Sequence, residues 1–264
     1  MRVLVTGAAS GIGAATVEEF LSHGVEVYAL DILSVPPREG VVPLQADVSD
    51  PAALGRVADT LAEGGVVLDV MVLVAGIHRM ASLVEADQEI LSRVIEVNTL
   101  GAMHTVRAFH PLLGARGRIV IVTSEVASLD PLPFNGLYSV SKTALDAYAQ
   151  ALRQELTLLG QTVVTVRPGA IATPLCAGSL TATESLTERT VLYRRQARHF
   201  LAITKSFMGR PLTPDKLSPL LYRVATVAHP RLTYSKHRNF GMVLLSLLPL
   251  RLQCAIIKLL LNRK

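Results

Sequence analysis

Short apolar runs alternate with longer segments of helical periodicity through the first 170 residues of the chain. Val and Ile dominate the short runs, as is typical of strands that are covered on both faces. The predicted strands are Arg2–Thr6, Val25–Leu30, Val41–Gln45, Asp69–Val74, Gly117–Ser124 and Thr162–Arg167. The predicted helices between them are Gly11–His23, Pro51–Glu63, Asp87–Leu113 and Gly136–Leu159. This alternation predicts right-handed crossovers and an α/β fold, a single-domain, doubly wound (Rossmann-type) parallel sheet with helices on both faces.

The pattern changes after Pro168. Residues 170–210 are rich in Thr and then in basic residues, and they predict a loop with one or two short helices. The predicted elements beyond it are a helix at Thr213–Ala228, an edge strand at Arg231–Ser235 and an apolar helical segment at Phe240–Leu261 that breaks at Pro249. A chain of 264 residues fits one large domain and can bury a core without a disulfide or a metal.

Positive charge is concentrated in the C-terminal third of the chain. Residues 1–180 contain 11 Lys and Arg against 18 Asp and Glu, whereas residues 181–264 contain 15 against 3. The basic region has few aromatic residues for base stacking and no recognised nucleic-acid motif, so we expect no nucleic-acid partner. Because it is also very apolar, it favours a lipophilic substrate or peripheral contact with an anionic membrane surface.

The two cysteines, Cys176 and Cys254, form neither a metal-ligand spacing nor a disulfide framework. We expect free thiols in a reducing cytosol, and therefore a cytoplasmic protein. The chain opens on a predicted strand rather than on a charged region followed by an apolar one, so we expect no signal peptide. The sequence contains no cluster of His, Cys and carboxylates that predicts a metal site.

A glycine-rich loop, Thr6–Gly13, lies between the first predicted strand and the helix that follows. Glycine lets the backbone turn tightly and approach a pyrophosphate, and the helix N-terminus directs N–H groups and a positive dipole end at the phosphates. An ordinary tight turn is the alternative. The position between strand and helix favours a dinucleotide site, with contacts predicted from Gly7, Ser10, Gly11, Ile12 and Gly13.

Asp31 ends the second predicted strand, 18 residues after Gly13. An acidic side chain there can accept hydrogen bonds from both ribose hydroxyls of adenosine and would repel a 2′-phosphate, which favours NAD(H) over NADP(H). A strand-end Asp that caps a turn is the alternative. Asp47 and Val48 follow the third predicted strand and are expected to contact the adenine.

Tyr138 and Lys142 are four residues apart on a predicted helix, so their side chains share a face. A tyrosine that acts as a base near neutral pH needs its pKa lowered by about three units, or roughly 4 kcal/mol. The Lys142 ammonium and an oxidised nicotinamide both supply a field of the required sign. Ser124 ends the fifth predicted strand, where its hydroxyl could hold a substrate oxygen beside Tyr138. Each signal is common by itself, and the prediction depends on their order and spacing.

In that order and spacing, the motifs resemble the short-chain dehydrogenase/reductase family in its classical form, over residues 2–175. The resemblance implies four catalytic residues, which are Asn98, Ser124, Tyr138 and Lys142. It implies that Tyr138 is the general acid/base, and that Lys142 lowers its pKa and binds the nicotinamide ribose. It also implies that Asn98 holds a water that relays protons from Lys142 to solvent.

Two further segments match the family's pattern. Arg167–Pro174 corresponds to the segment after its sixth strand, which implies cofactor contacts from Pro168 and Gly169 and anchoring of the nicotinamide carboxamide by Ile171 and Thr173. After the fourth strand the family usually has Asn-Asn-Ala-Gly, whereas residues 73–76 here are Leu-Val-Ala-Gly. Ala75 and Gly76 still allow close packing of the adenosine side. The Asn that would bridge neighbouring strands is replaced by Val74, which puts some local stabilisation in doubt.

The leading hypothesis is therefore an NAD(H)-dependent short-chain alcohol dehydrogenase or carbonyl reductase that acts on a lipophilic secondary alcohol or ketone, of steroid, retinoid or long-chain type. Two alternatives remain, a reductase of a small or carrier-bound ketone and a non-catalytic nucleotide-sensing protein. Residues 1–175 are predicted to form the cofactor-binding and catalytic core, 176–210 a substrate lid, and 240–264 an apolar C-terminal helical segment. Relatives commonly pair through two long helices, so the resemblance implies a homodimer or homotetramer.

A set of mostly apolar side chains is expected to line the substrate pocket. Its members are Leu129, Leu132, Phe134, Leu175, Tyr193, Phe200, Phe207 and Met208. Residues 240–264 could lie in a membrane interface, cover the pocket or pack against another subunit. This closing region also resembles the hydroxysteroid and retinol dehydrogenase branches of the family, which agrees with a lipophilic pocket.

Overall fold

The computed structural model describes residues 1–207 and 211–263, and within them the chain forms one seven-stranded sheet. The strands are β1 (Arg2–Thr6), β2 (Glu26–Asp31), β3 (Val41–Gln45), β4 (Leu68–Leu73), β5 (Leu113–Val122), β6 (Thr162–Pro168) and β7 (Thr233–Lys236). Their spatial order is β3-β2-β1-β4-β5-β6-β7, and every neighbouring pair is parallel. The predicted doubly wound α/β sheet in a single domain is confirmed.

Ten α-helices accompany the sheet in the described part of the chain. They are α1 (Gly11–Ser22), α2 (Pro51–Glu63), α3 (Gln88–Ile95), α4 (Gly101–Phe109), α5 (Gly136–Thr157), α6 (Pro174–Arg189), α7 (Arg194–Phe207), α8 (Ser218–Thr226), α9 (Phe240–Ser246) and α10 (Leu250–Leu261).

Two hydrophobic cores cover the two faces of the sheet, because successive side chains of a strand point to opposite sides. On one face, Leu4 packs in a cluster with residues of α2, α4 and α5. On the other face, Val3 and Val5 pack in a cluster with Phe20 of α1 and Leu221 of α8. A third cluster contains Met80, Phe134, Leu186, Ala197, Phe200 and Leu261, and it joins the loop before α5 to helices α6, α7 and α10.

The direction of winding changes next to β1, whose neighbours are β2 on one side and β4 on the other. In a doubly wound sheet, the crevice at the carboxyl ends of two such strands is the usual place for a ligand. Here that crevice lies between Gly7, after β1, and Ala75, after β4.

The predicted helical stretch at 87–113 is helical from Gln88 to Leu112, but it is not a uniform α-helix. Helix α3 passes into a π-helical turn at Glu96–Leu100 and then into α4, and a 3₁₀ turn at His110–Leu112 leads directly into β5. Strand β5 therefore begins at Leu113 and not at Gly117. Leu113 pairs with Leu68, but the next paired residue on β5 is Arg118, so the register shifts and residues 114–117 interrupt the ladder.

The segment predicted to form a lid is more helical than the sequence indicated. In place of one or two short helices in a loop, α6 has 16 residues and α7 has 14. Thr and Ser have modest helix propensity, which hides α6 from a reading of composition. The helix is nonetheless capped by Thr173, whose Oγ1 accepts a hydrogen bond from the Cys176 N–H at 3.2 Å, and Pro174 occupies its first position.

The C-terminal segments follow the predicted order with shorter elements. The helix predicted at 213–228 is a 3₁₀ turn at Pro214–Lys216 followed by α8, and β7 is the predicted edge strand. The apolar segment forms α9 and α10, which are separated by a break at residues 247–249. Among the described residues, no helix combines the length and the apolar character needed to cross a membrane.

Candidate functional site

The loop between β1 and α1 can accommodate a pyrophosphate. Gly7 has φ of +69°, and a Cβ built there would lie 3.0 Å from the backbone of Ala75. A Cβ at Gly13 would overlap the carbonyl oxygen of Gly7. Both positions therefore require glycine if the loop is to stay this compact. Ser10 precedes α1 and makes no side-chain cap, so the first N–H groups of the helix face the cavity without a capping side chain.

Thr6 joins the ends of β1 and β4. Its Oγ1 accepts hydrogen bonds from the N–H groups of Val74 and Ala75, at 3.0 and 3.1 Å. A loss of local stabilisation was expected here, because Val74 stands where the family has an Asn that bridges strands. In this chain the threonine hydroxyl supplies a bridge between the two strands that flank the crevice.

Two carboxylates stand at the end where an adenosine would lie. Asp31 accepts hydrogen bonds from the N–H groups of Ala9 and Leu33, both at 2.9 Å, so it also orders the glycine loop. Asp47 accepts hydrogen bonds from Ser49 and from Arg93, the latter at 2.7 Å. Burial alone would raise the pKa of Asp47, but the bonds from Arg93 and Ser49 outweigh it and hold that pKa below its ordinary value.

The four residues predicted to be catalytic come together on the other side of this crevice. Tyr138 and Lys142 lie one turn apart in the first half of α5, and the Lys142 Nζ is 5.9 Å from the centre of the tyrosine ring. Ser124, which follows β5, lines the cavity beside Tyr138 and lies close enough to the phenol to influence its pKa. Asn98 and Lys142 meet at Gly76, because a Cβ built there would lie 3.1 Å from Asn98 Oδ1 and 3.3 Å from Lys142 Nζ.

The Asn98 side chain is already committed to the protein. It lies on the π-helical turn, where its Nδ2 donates to the Ile77 carbonyl and to Ser141 Oγ, both at 2.9 Å, and its Oδ1 accepts from the Ile77 N–H at 2.7 Å. The neighbouring Thr99 hydroxyl donates to the Ser141 carbonyl. Asn98 thus ties the π-helical turn to α5 and to the loop after β4. Both of its side-chain N–H groups already donate to the protein. A water beside Asn98 could therefore be held only by donating a hydrogen bond to an oxygen of Asn98.

Burial controls the ionisation of both key side chains. It raises the pKa of Tyr138 to about 12, although the hydrogen bond with Ser124 acts in the opposite direction. It lowers the pKa of Lys142 to about 8. The lowering of the Tyr138 pKa that we expected is therefore not produced by the residues of the protein alone.

His78, Asn135 and Glu125 extend the site beyond the predicted residues. The buried His78 ring packs edge-on against the Tyr138 ring, with centres 4.5 Å apart, and its Nε2 is hydrogen-bonded to Asn135 Oδ1 at 2.8 Å. Burial lowers the pKa of His78, so a neutral imidazole is favoured. Burial raises the pKa of Glu125, whose Oε2 accepts a hydrogen bond from the Asn239 N–H at 2.6 Å. The sequence signal that could have identified them is closeness to a predicted site residue, since His78 lies two residues after Gly76 and Glu125 directly follows Ser124.

The segment after β6 closes the site from the far side. Ile171 forms a parallel bridge with Leu212, which uses the carbonyl of Ala170 and the N–H of Ala172. In such a bridge the N–H of Ile171 points away from its partner and is not used by it. The Thr173 hydroxyl caps α6 and also donates to the Ile171 carbonyl at 3.4 Å. Pro168, Gly169, Ile171 and Thr173 all line the cavity.

One cavity of about 700 Å³ connects these parts. Nearly all of the predicted residues line it, with Gly13 and Asn98 immediately behind the wall. Its far end is apolar and is built mainly from the lid and the C-terminal helices. The apolar residues there are Leu132, Leu175, Phe200, Ile203, Met242, Leu245, Ile256, Ile257, Leu260 and Leu261.

The predicted pocket set is correct in part. Leu132, Leu175 and Phe200 line the cavity, whereas Phe134 and Tyr193 pack in the cluster beneath the lid, and Leu129 is not among the lining residues. The Phe207 side chain and Met208 lie outside the described residues. Of the three placements considered for residues 240–264, the cover over the pocket is observed, since α9 and α10 form one wall of it. The sequence carries no signal that α9 and α10 pack over the pocket, because this is a tertiary contact between distant segments.

In the described part of the chain, no three His, Cys, Asp or Glu side chains come close enough to hold a metal ion. Cys176 and Cys254 are both free thiols, and burial raises the pKa of Cys176.

The sheet order, the glycine loop at its switch point and the cluster of Ser, Tyr and Lys beside it define a Rossmann-type oxidoreductase fold. The family model described as short chain dehydrogenase matches residues 1–184. The chain belongs to the short-chain dehydrogenase/reductase family, as the sequence motifs predicted.

Three known proteins illustrate the breadth of the likeness. The chain is 33% identical over 178 residues to 1-hydroxy-2-glutathionyl-2-methyl-3-butene dehydrogenase of Rhodococcus sp. (strain AD45), covering 66% of this chain and 79% of that protein. It is 28% identical over 258 residues to human 17-beta-hydroxysteroid dehydrogenase type 1, covering 90% of this chain and 78% of that protein. A short chain dehydrogenase from Burkholderia cenocepacia J2315, solved in complex with NADP, shares the fold with a TM-score of 0.72 and 21% identity, over 100% of this chain and 98% of that one.

Proposed function

We propose that this protein is an NAD(H)-dependent oxidoreductase that interconverts a lipophilic secondary alcohol and its ketone, with Tyr138 as general acid/base. The observation that carries the proposal is the cluster of Tyr138, Ser124 and Lys142 within one cavity, between a dinucleotide cradle and an apolar chamber. A nicotinamide cofactor, when bound, supplies the site that accepts or donates the hydride. The proposed substrates are steroid-, retinoid- or long-chain-like, and the apolar lining of the chamber supports this proposal.

The cofactor is held, in this proposal, by the residues whose geometry fits each of its parts. The α1 N-terminus and the loop from Gly7 to Gly13 bind the pyrophosphate, and Asp31 binds the adenosine ribose. Asp47 and Val48 lie against the adenine, with Ala75 and Gly76 closing the adenosine side. The Ile171 N–H and the Thr173 hydroxyl bind the carboxamide, beside Pro168 and Gly169. The solved Burkholderia relative holds NADP, so the preference for NAD(H) depends on the Asp31 carboxylate and not on the fold.

The acid/base step follows from the local geometry. In oxidation, the Tyr138 oxygen takes the proton of the substrate hydroxyl, and Ser124 donates a hydrogen bond to the substrate oxygen. The half-buried Tyr138 holds its own proton tightly, since loss of solvent raises its pKa to about 12, so deprotonation needs nearby positive charge. The Lys142 ammonium supplies part of that charge and binds the nicotinamide ribose. A proton can leave past Lys142 toward an oxygen of Asn98 and a water bound there.

The remaining expectations belong to the same proposal. Residues 1–175 act as the cofactor-binding and catalytic core, 176–210 as a substrate lid, and 240–264 as the outer wall of the chamber. The protein acts in the cytoplasm as a homodimer or homotetramer. The alternative of a small or carrier-bound ketone has weaker support, because the far end of the cavity is lined mainly by apolar side chains.

The test is NAD⁺-dependent absorbance at 340 nm, roughly the band of the reduced nicotinamide, with hydroxysteroids, retinol and aliphatic secondary alcohols as substrates. Tyr138→Phe should abolish turnover, whereas Tyr148→Phe should retain it. Tyr148 lies on the same helix and is also partly buried, but it packs against the sheet core and does not line the cavity. Tight NADH binding without turnover on any of these substrates would favour a carrier-bound substrate or a nucleotide-sensing role.

A further inference from the structure

Helix α9 is apolar on two opposite sides. Its inner side supplies Gly241, Met242 and Leu245 to the cavity wall. Its outer side carries Phe240, Leu244 and Leu247, which are 72%, 50% and 76% exposed. These three residues have the i, i+4, i+7 spacing of a single helix face. The outer face of a surface helix is normally polar. An apolar outer face therefore indicates that another apolar surface packs against it.

The apolar surface continues beyond the break between the two helices. Leu250 begins α10 and is 67% exposed. Further along α10, Leu252 and Leu259 are seven residues apart and exposed, and Arg251 and Lys258 form an exposed stripe beside them with the same spacing. Leucines beside a stripe of cations are the arrangement of a helix that lies in a membrane interface. We name the exposed residues Phe240, Leu244, Leu247, Leu250, Leu252 and Leu259 the outer leucine-rich face.

The charge around this face favours an anionic occupant. From Lys216 to the C-terminus the sequence has nine Lys and Arg residues and no Asp or Glu. Arg238, just before α9, is exposed, as are Arg194 and Arg198 on α7, which packs against α10. A symmetric dimer formed through this face would bring positive charge against positive charge, because the same patch occurs on both copies. A bilayer with anionic headgroups satisfies both the apolar and the cationic parts.

We propose that the outer leucine-rich face of α9 and α10 docks the protein onto an anionic membrane surface, with the inner face of the same helices as the wall of the substrate cavity. The helices have 7 and 12 residues, too short to cross a bilayer, so they lie in its plane. The proposal deepens the proposed function and rests on it in one respect. A lipophilic substrate dissolved in the bilayer would be separated from the cavity by a single layer of helix.

The test is flotation of the full-length protein with vesicles of phosphatidylcholine that contain about 30 mol% phosphatidylglycerol, and with vesicles of phosphatidylcholine alone. The wild-type protein should bind the anionic vesicles at least roughly tenfold more tightly, and added salt should weaken the binding. The triple variant Phe240→Ser, Leu244→Ser, Leu247→Ser should lose at least roughly tenfold of that affinity. None of these three residues lines the cavity, so turnover of a water-soluble substrate should be unchanged.

The matched control is the double variant Leu158→Ser, Leu159→Ser. These residues follow α5 and are 85% and 60% exposed, and the sequence from Gln154 to Val166 contains no Lys or Arg. The control should bind vesicles as the wild type does. Equal binding of the triple variant, equal loss in the control, or no binding by the wild type would each overturn the proposal. So would a wild-type dimer in light scattering that the triple variant abolishes, because the face would then be covered by a second copy.

The two proposals fail separately. Vesicle flotation needs no substrate, and the absorbance assay with a water-soluble alcohol needs no vesicle. Loss of flotation with turnover intact would remove the docking surface alone. Flotation without NAD⁺-dependent turnover on any substrate would remove the proposed reaction alone.

Discussion

At the scale of single residues, the site holds two ionisable groups that burial drives toward their neutral forms. Lys142 is only 3% exposed, and burial lowers its pKa to about 8, while burial raises the Tyr138 pKa to about 12. Groups arranged for chemistry often reduce the stability of the fold in this way. The free energy of unfolding should therefore depend on pH through the buried Lys142 ammonium.

The substitution Lys142→Met tests how much stability the buried ammonium removes. The folded-state pKa of Lys142, about 8, lies below the ordinary 10.5, so the unfolded chain binds more protons between these values. The wild type should then gain stability relative to Lys142→Met as pH rises from 7 to 10, by at most about 3 kcal/mol. Urea unfolding of both proteins across this range measures the difference. A difference that stays constant with pH would contradict a buried ammonium with a lowered pKa.

Asp31→Asn tests the origin of cofactor preference. The substitution removes the negative charge but keeps an oxygen that can accept one of the hydrogen bonds from Ala9 and Leu33. The ratio of kcat/KM for NADP⁺ to that for NAD⁺ should rise at least about tenfold, because a 2′-phosphate no longer faces a carboxylate. Asp59→Asn, on an exposed position of α2, is the control and should leave the ratio unchanged. A wild type that already prefers NADP⁺ would refute the assigned role of Asp31.

At the scale of elements, β1, β4 and β6 were predictable because each contains a short, almost continuous apolar run. The irregularities within helices and strands were not predictable. The π-helical turn at Glu96–Leu100 keeps helical periodicity, so nothing in the residue pattern separates α3 from α4, and the register shift in β5 depends on its pairing with β4. Ser124, Tyr138 and Lys142 were predicted from their order and spacing, whereas Asn98 was predicted only from the resemblance to the family. His78 and Glu125 were missed because their proximity to the site arises from the fold and not from a motif.

Phe134 anchors the lid at a backbone conformation that favours glycine. Its φ is +63°, its ring packs edge-on against Tyr193 and Phe200, and its carbonyl accepts a hydrogen bond from the Ala81 N–H. Phe134→Ala should reduce the free energy of unfolding by about 3 kcal/mol or more, because the lid cluster loses its central ring. Phe134→Gly loses the same ring, but glycine adopts a positive φ without steric strain. This variant should therefore be about 1 kcal/mol more stable than Phe134→Ala.

Denaturant unfolding of the two variants gives the order directly, and hydrogen exchange in α6 and α7 reports whether the lid loosens in both. The reverse order, with alanine the more stable residue, would show that the left-handed backbone at this position carries no strain.

At the scale of the whole molecule, the cavity is built from segments far apart in the chain. The glycine loop lies within the first 13 residues, α5 with Tyr138 begins at Gly136, and α10, which forms part of the outer wall, ends at Leu261. A ligand that spans these parts binds only the folded chain as a whole. Binding energy should therefore stabilise the sheet and the C-terminal helices together, as one cooperative unit.

NADH should therefore raise the temperature of thermal unfolding. At about one hundred times its dissociation constant, a ligand that binds only the folded state adds about 2.7 kcal/mol. With an unfolding entropy of about 2.1 cal/mol/K per residue, a chain of 264 residues should gain about 5 °C in Tm. NADPH at the same concentration should raise Tm less, since Asp31 opposes its 2′-phosphate. Calorimetry should show one transition that moves as a whole. Two transitions, of which NADH moves only one, would mean that α9 and α10 unfold independently of the core and form no permanent wall of the site.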